Sequence, residues 1–344
     1  MEKIKGLKKV VLIVSVVSVV LLIGLSASIG QEKELKFFHG KIIRIIVCTT
    51  PGGGFDTYAR FTAPHLQRHL PGSRVVVENV PGAGQLIGTN KVYESPPDGL
   101  TLGIINRGMI FNQLMGTKGI RFDLGKFNWL ANLAAEPRFF VVGKKSKFQT
   151  LEQITKGGPE IKIGCTGAGT VAYNDTVMLK EIMDWPVRVV SGYGGSSDSQ
   201  LATIKGEVDA MVGIYDTLRI SMESGDIKPL LQMGGRKIPG MESVRLLREI
   251  IPPGNEDLMN LLEIQYSVSR LLAAPPGLPV ARRDLLREIY KKMVEDKEFI
   301  NAAKKVNLNI EFTSGEELET MIKGALRQPP KVIDLLKRVI VIGG

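Results

Sequence analysis

Four short stretches could do chemistry without any catalytic side chain: TPGGGFD (50–56), VPGAGQL (80–86), CTGAGTV (165–171) and GYGGSSD (192–198). Each joins an apolar, β-rich run to a run with helical spacing. At such a junction the first helical turn presents unpaired backbone N–H groups and the positive end of a dipole, which suits a carboxylate or phosphate. Glycine lets the backbone approach a ligand closely and adopt positive φ. Any single junction is explained by a tight turn alone, but four in equivalent positions point to an anion. Asp56 and Asp175 read as first-turn acids that complement helix dipoles. Asp56 is also placed to orient its loop or to accept a ligand hydrogen bond.

Other chemistries find less support. GAGTVA (167–172) fits G-x-G-x-x-A after a strand, yet the acidic ribose partner expected at the end of the next strand is missing where the chain reads RVVSGY. HLQRH places His65 and His69 four apart, but a zinc protease needs Glu after the first His and Leu66 stands there; both histidines are expected on a solvated helix face. No G-x-S-x-G elbow occurs, and His39, His65 and His69 offer no Ser/His/Asp set. Cys48 and Cys165 each end a strand-like run and are expected as buried free thiols. The expectation is therefore a binding protein with no catalytic residue, no metal and no cofactor.

The elements that must position these turns alternate. KIIRIIVCTT is a strand, followed by the glycine turn and a helix to about Leu70; RVVVENV is a second strand, leading through PGAGQ into another helical run; LTLGIINR is a third. After a less regular stretch, FFVVGKKS opens a second series. In it EIKIGCTGAGTVAYNDTVMLKEIM and VRVVSGYGGSSDSQLATIKG each read strand, turn, helix, and EVDAMVGI adds a strand. This is α/β organisation twice over. Towards the C-terminus RLLAAPPGLP is a strand running into a turn. Residues 280–306 have helical apolar spacing, SGEELETMIKGAL opens with Ser314 and Glu317 as a capping box, and KVIDLLKRVI makes a last helix.

A chain of 344 residues with 44% apolar content is ample for two domains. Lys3, Lys5, Lys8 and Lys9 precede an uncharged apolar run from Val10 to Leu25, and Ser26, Ala27 and Ser28 supply small residues for cleavage. Residues 1–28 therefore read as a signal peptide, or as an uncleaved anchor, with the remainder outside the cytoplasm. Removing them takes away four lysines and one glutamate and lowers the formal charge from +10 to +7. The basic balance favours anionic solutes, while the lack of a Lys/Arg run interleaved with aromatics argues against nucleic acid.

Together IRIIVCTTPGGGFDTYAR, VVVENVPGAGQLIGTNKVYESPPDGLTL, YGGSSDSQLATIKGEVDAM and LAAPPGLP resemble the tripartite tricarboxylate transporter substrate-binding family, the Bug-type extracytoplasmic solute receptors. The resemblance runs from about Lys36 to Ile322. It implies a two-lobed, type II periplasmic-binding-protein-like fold with a cleft between two α/β domains, one spanning 36–140 plus 269–344 and the other 141–268. It implies a monomer that closes on a small carboxylate, a di- or tricarboxylate or related organic acid, and feeds the membrane permease subunits of a tripartite tricarboxylate transporter. By position it nominates Gly53, Gly54, Phe55 and Asp56 in the first loop and Gly82, Ala83, Gly84 and Gln85 in the second, which grip one carboxyl group. Across the cleft it nominates Thr166, Gly167, Thr170, Tyr193, Gly195 and Ser196, facing the far end of the ligand. Gln85 stands where the family usually has glycine, making the loop less free or offering an amide to the ligand. Cys165 and Thr166 replace the usual small hydroxyl-bearing strand end. A sensor module passing the signal to a membrane receptor, or an enzyme using a glycine-rich anion site, remain as alternatives.

Overall fold

The computed structural model describes residues 32–167 and 170–340; the N-terminal segment read as an export signal lies outside them. No helix among the described residues is long and apolar enough to cross a membrane.

Two six-stranded sheets organise the chain. The first contains β1 (Ile42–Val47), β2 (Arg74–Asn79), β3 (Thr101–Ile105), β4 (Asn128–Asn132), β11 (Leu271–Ala274) and β12 (Thr313–Ser314), in the order β12-β4-β11-β3-β1-β2. The second contains β5 (Arg138–Gly143), β6 (Ile161–Thr166), β7 (Val187–Tyr193), β8 (Ala210–Ile214), β9 (Ile227–Gln232) and β10 (Arg245–Leu246), in the order β10-β9-β5-β8-β6-β7. β1 pairs in parallel with β2 and β3, as β6 does with β7 and β8. β11 and β5 run antiparallel to their neighbours in the respective sheets. The two halves thus repeat one mixed α/β arrangement. The chain passes between sheets at 133–137 and again at 268–270. The domain boundary expected between 140 and 141 lies within the continuous strand β5, which pairs with β8 and β9.

Parallel pairing dictates the helices that follow. α1 (Gly54–His69) follows β1, α2 (Leu86–Tyr93) follows β2 and α3 (Met109–Met115) follows β3; α4 (Val171–Met183) follows β6 and α5 (Ser196–Lys205) follows β7. A crossover of this kind is needed to bring the chain back parallel. In α1 the buried face is Tyr58, Ala59, Thr62, Ala63 and Leu66, at the three- and four-residue spacing of an amphipathic helix. α6 (Tyr215–Glu223) and α7 (Glu256–Ser267) complete the second half.

The C-terminal region departs from expectation in one place. The helical pattern over 280–306 is two helices, α8 (Val280–Glu295) and α9 (Lys297–Lys305). Asp296 adopts an extended backbone and its carboxylate accepts from Glu298 N–H, so it caps α9 instead of continuing α8. α10 (Gly315–Ala325) starts at Ser314, whose hydroxyl accepts from Glu317 N–H at 3.2 Å, and α11 (Pro330–Val339) closes the described chain. His65 is half-buried, edge-on to Phe299 with ring centres 5.0 Å apart, where a solvated position was expected.

One continuous apolar cluster crosses both halves, joining Met109, Phe127 and Trp129 of the first to Phe140, Met178, Leu262 and Tyr266 of the second. A second, including Phe38, Tyr58, Leu66, Tyr290 and Phe299, fills the outer side of the first sheet. Cys48 and Cys165 are free and buried, and burial pushes both thiols up to about 11.

Candidate functional site

All four glycine junctions lie at the carboxyl ends of parallel strands, after β1, β2, β6 and β7. In the first, Thr57 N–H makes the earliest intrahelical bond, to Gly53 O at 2.9 Å, which leaves the N–H groups of Gly54, Phe55 and Asp56 without helical partners. Asp56 does not face outward. Its carboxylate accepts from Gly52 N–H, from Arg60 Nε and from Asn79 Nδ2, each at 2.9 Å, and it is 3% exposed. Asn79 also donates to Thr49 O at 3.0 Å and accepts from Arg60 Nη2 at 2.9 Å. Arg60, helped by Gly52 and Asn79, holds the Asp56 carboxyl at about 2. The carboxylate therefore braces the loop from within.

Beneath this turn lies a residue that the sequence reading did not nominate. Arg270, at the return crossing into β11, stacks its guanidinium 4.5 Å from the centre of Phe55 and 4.9 Å from that of Tyr58. A methyl group on Gly54 would come within 2.8 Å of Arg270 Nη2, so the glycine permits the approach. Arg270 Nη2 pairs with Glu136 Oε1 at 2.9 Å, and Arg107 Nη2 pairs with Glu136 Oε2 at 3.0 Å. Arg107 Nη1 also donates to Val268 O at 3.0 Å. Burial works against ionisation of Glu136, but Arg107 and Arg270 overcome it and hold the carboxyl below its ordinary value.

A second ion pair adjoins the first. Asp175 is paired with Arg138 and accepts from Tyr266 Oη at 3.0 Å. It sits in the second turn of α4, not in the first as its sequence position suggested, and it is 7% exposed. Burial raises its pKa against the pull of Arg138. Arg107, Arg138 and Arg270 are each less than 10% exposed and face two carboxylates, so this region carries one surplus positive charge. Buried charge of one sign calls for compensation.

The second junction is backbone under tension. Gly82, Ala83, Gly84 and Gln85 have φ of 126, 45, 59 and 78°, four consecutive positive values of which two belong to non-glycine residues. Strain of this kind costs about 1–3 kcal/mol per residue and concentrates at functional sites. Gln85 takes the left-handed conformation that glycine would adopt freely, and its Oε1 is buried without a hydrogen-bond partner. The N–H groups of Gln85 and Leu86 are spent inside the turn, on Gly82 O at 2.9 Å and on Ala83 O, so any donors this junction offers a ligand come from its earlier residues.

The second half supplies hydroxyls instead of charge. Thr170 caps α4, accepting from Tyr173 N–H at 3.3 Å and donating to Gly167 O at 2.8 Å. Thr166 Oγ1 lies 2.7 Å from Thr170 Oγ1. Gly195 caps α5, with Ser199 N–H bonded to its carbonyl at 3.2 Å, and Ser196 is exposed in the first turn. Tyr193 is half-buried, its ring edge against Gly164, and burial raises its phenol.

Between the halves lies a cavity of about 280 Å³, bounded by the β3–α3 turn, α3, α4, α7 and the end of α11. Gly84 and Val171 bring the second junction and the start of α4 to its lining, and Arg107, Asp175 and Tyr266 bring the ion pairs there. Of the residues nominated from sequence, Gly84 lines this cavity; Gly53, Gly54, Phe55, Asp56, Gly82, Ala83, Gln85, Thr166, Gly167, Thr170, Tyr193, Gly195 and Ser196 do not. Arg107, Glu136 and Arg270 went unnoticed in the sequence. Their only local signal is a charged residue set against an apolar run: IINRG, AAEPRFF and SVSRLLAA.

The model of the family described as "tripartite tricarboxylate transporter family receptor" matches residues 58–336. The chain belongs to this family. It is 25% identical over 322 residues to a UPF0065 protein of Cupriavidus necator, covering 91% of this chain and 93% of that one. It is 23% identical over 295 residues to a UPF0065 protein of Bordetella bronchiseptica, covering 85% and 82%. The fold matches a TctC solute-binding protein from Polaromonas with a TM-score of 0.70 at 21% identity, over 87% of this chain and 98% of that one. It also matches malate-bound MatC of Rhodopseudomonas palustris with a TM-score of 0.55 at 19% identity, over 88% and 99%. This receptor therefore has the two-lobed fold of periplasmic binding proteins, each lobe built on one of the two sheets.

Proposed function

We propose that this receptor works outside the cytoplasm, capturing a small carboxylate in the cleft between its lobes and delivering it to the permease subunits of a tripartite tricarboxylate-type transporter. The observation that carries the reading is the buried Arg270 guanidinium beneath the unpaired N–H groups of the first glycine turn. A carboxylate over that turn meets backbone donors at short range and balances the surplus charge below them. The strained second turn completes the grip on the same carboxyl group. The hydroxyl-bearing starts of α4 and α5 meet the rest of the ligand when the lobes approach, because ligand contacts made only in the closed state shift the equilibrium towards it. Solute-binding relatives favour capture over catalysis, and neighbours of the same fold are seen with malate and with adipate. Thermal denaturation of the chain from residue 32 onwards tests the proposal with di- and tricarboxylates, aromatic acids and amino acids. At least one acid raises the melting temperature in proportion to the logarithm of its concentration, while its primary amide does not. Equal shifts by acid and amide would reject an anion site.

A further inference from the structure

The cavity behind Gly84 says more about the ligand than its charge. Beside the carboxamides of Asn106, Asn112, Asn174 and Gln265, of which Asn174 Oδ1 is buried without a hydrogen-bond partner, six apolar side chains line it: Met109, Phe111, Met115, Val171, Met178 and Leu262. Three of these six are methionines, whose unbranched thioether chains adapt to bodies of different shape. The ionic groups in its lining already have partners inside the protein. Arg107 is held by Glu136 and by Val268 O, and Asp175 by Arg138 and Tyr266. The surplus charge of the surrounding ion pairs is a single unit, so one carboxylate balances it and a second reverses it. A carboxylate driven into the cavity would also meet Asp175, and an uncompensated buried charge costs several kcal/mol.

We infer that the ligand is an organic acid with one carboxylate and an apolar body, the carboxylate held at the glycine turns and the body seated in the methionine-lined cavity. This rests on the carboxylate-receptor reading above and narrows it, away from malate and adipate, the dicarboxylates with which two fold neighbours are seen. Val171 lines the cavity at the first position of α4 and is 53% exposed, so a polar replacement there is expected to leave the fold intact.

Calorimetry on the chain from residue 32 onwards, with butanoate, hexanoate, octanoate and 3-phenylpropanoate beside succinate, adipate and citrate, tests the inference. Affinity is expected to rise about fourfold for each methylene that enters the cavity, until the cavity is full. Octanoate and 3-phenylpropanoate should then bind at least tenfold more tightly than adipate or citrate. In Val171→Lys the octanoate-to-adipate ratio should fall at least tenfold, since a cation at the wall penalises the apolar chain and rewards a second carboxylate. Adipate or citrate binding as tightly as the apolar acids would overturn the inference while leaving the carboxylate receptor in place, as would an unchanged ratio in Val171→Lys. If no acid of either series binds, the receptor reading fails and this inference fails with it.

Discussion

The glycine turns of the two lobes share a position in the fold but not a chemistry. In the first lobe the turn after β1 rests on a buried guanidinium and is braced internally by Asp56, and the turn after β2 is held in four successive positive-φ conformations. In the second lobe the turns after β6 and β7 carry threonine, serine and tyrosine hydroxyls and, among the described residues, no buried cation. A rigid, positively charged set of donors binds the same group in every ligand, whereas exposed hydroxyls tolerate variation in what they meet. On the carboxylate-receptor reading proposed above, the first lobe would anchor the ligand, and the hydroxyls of the second lobe, with the methionine-lined cavity, would discriminate among ligand bodies.

If that division of labour holds, the largest effect comes from the charge under the anchor. Arg270→Gln removes the surplus positive charge while Glu136 keeps Arg107 as its partner, so the chain still folds. Affinity for any carboxylate ligand should fall by about a hundredfold, close to 3 kcal/mol by calorimetry. Arg270→Lys should recover only part of it, because an ammonium cannot stack on Phe55 and pair with Glu136 at once. A loss below threefold in Arg270→Gln would place the anchor elsewhere.

Next in size is the brace. Asp56→Asn replaces an ionised acceptor of three hydrogen bonds and should lower unfolding stability by about 2 kcal/mol at neutral pH. The folded-state pKa of Asp56, about 2, lies below the usual value of about 4. Its stabilisation is therefore complete above pH 4 and disappears as pH falls through 2. Urea denaturation at several pH values should show the variant and the native protein converging as the solution is acidified. A constant gap across that range would mean that the carboxylate's charge is not what holds the loop.

Gly84→Val should have a smaller effect, since φ is +59° there and a β-branched residue must displace the turn. About a tenfold loss of affinity is expected for every ligand alike. The smallest effect belongs to Thr166→Val, which keeps the volume and removes one hydroxyl from the Thr166–Thr170 pair. Affinity should change by about threefold, and unequally among ligands of different shape. A uniform change across a ligand series would remove Thr166 from the discriminating set.

Much of the scaffold could be read before the structure was known, for a physical reason. The strands after which the glycine turns fall are short β-branched runs bounded by glycine and proline, and parallel pairing forces a helix after each. Ser314 and Glu317 marked a helix start because capping is a local affair. Asp296 was missed because the apolar spacing continues through it, and only its extended backbone separates α8 from α9. The anchor charge was not legible at all. Arg107, Glu136 and Arg270 come from three segments that meet only when both crossings between the sheets are in place, and nothing within a few residues of any of them announces the others. Gln85 lies between these cases. Its side chain stands where the resemblance implies glycine, while its left-handed backbone and unpartnered amide oxygen are evident only in three dimensions.

The apolar cluster that runs from Trp129 through Tyr266 to Phe140 without a break has a thermodynamic consequence for the whole molecule. Lobes joined by a flexible linker melt separately, and a ligand then steadies only the half it touches. Here neither half can lose its packing without exposing side chains of the other, so the receptor is expected to unfold as one cooperative unit in which occupancy of the cleft steadies residues far from it. If it works outside the cytoplasm, as proposed above, its abundance there, where transient unfolding invites proteolysis, is tied to the supply of its own ligand.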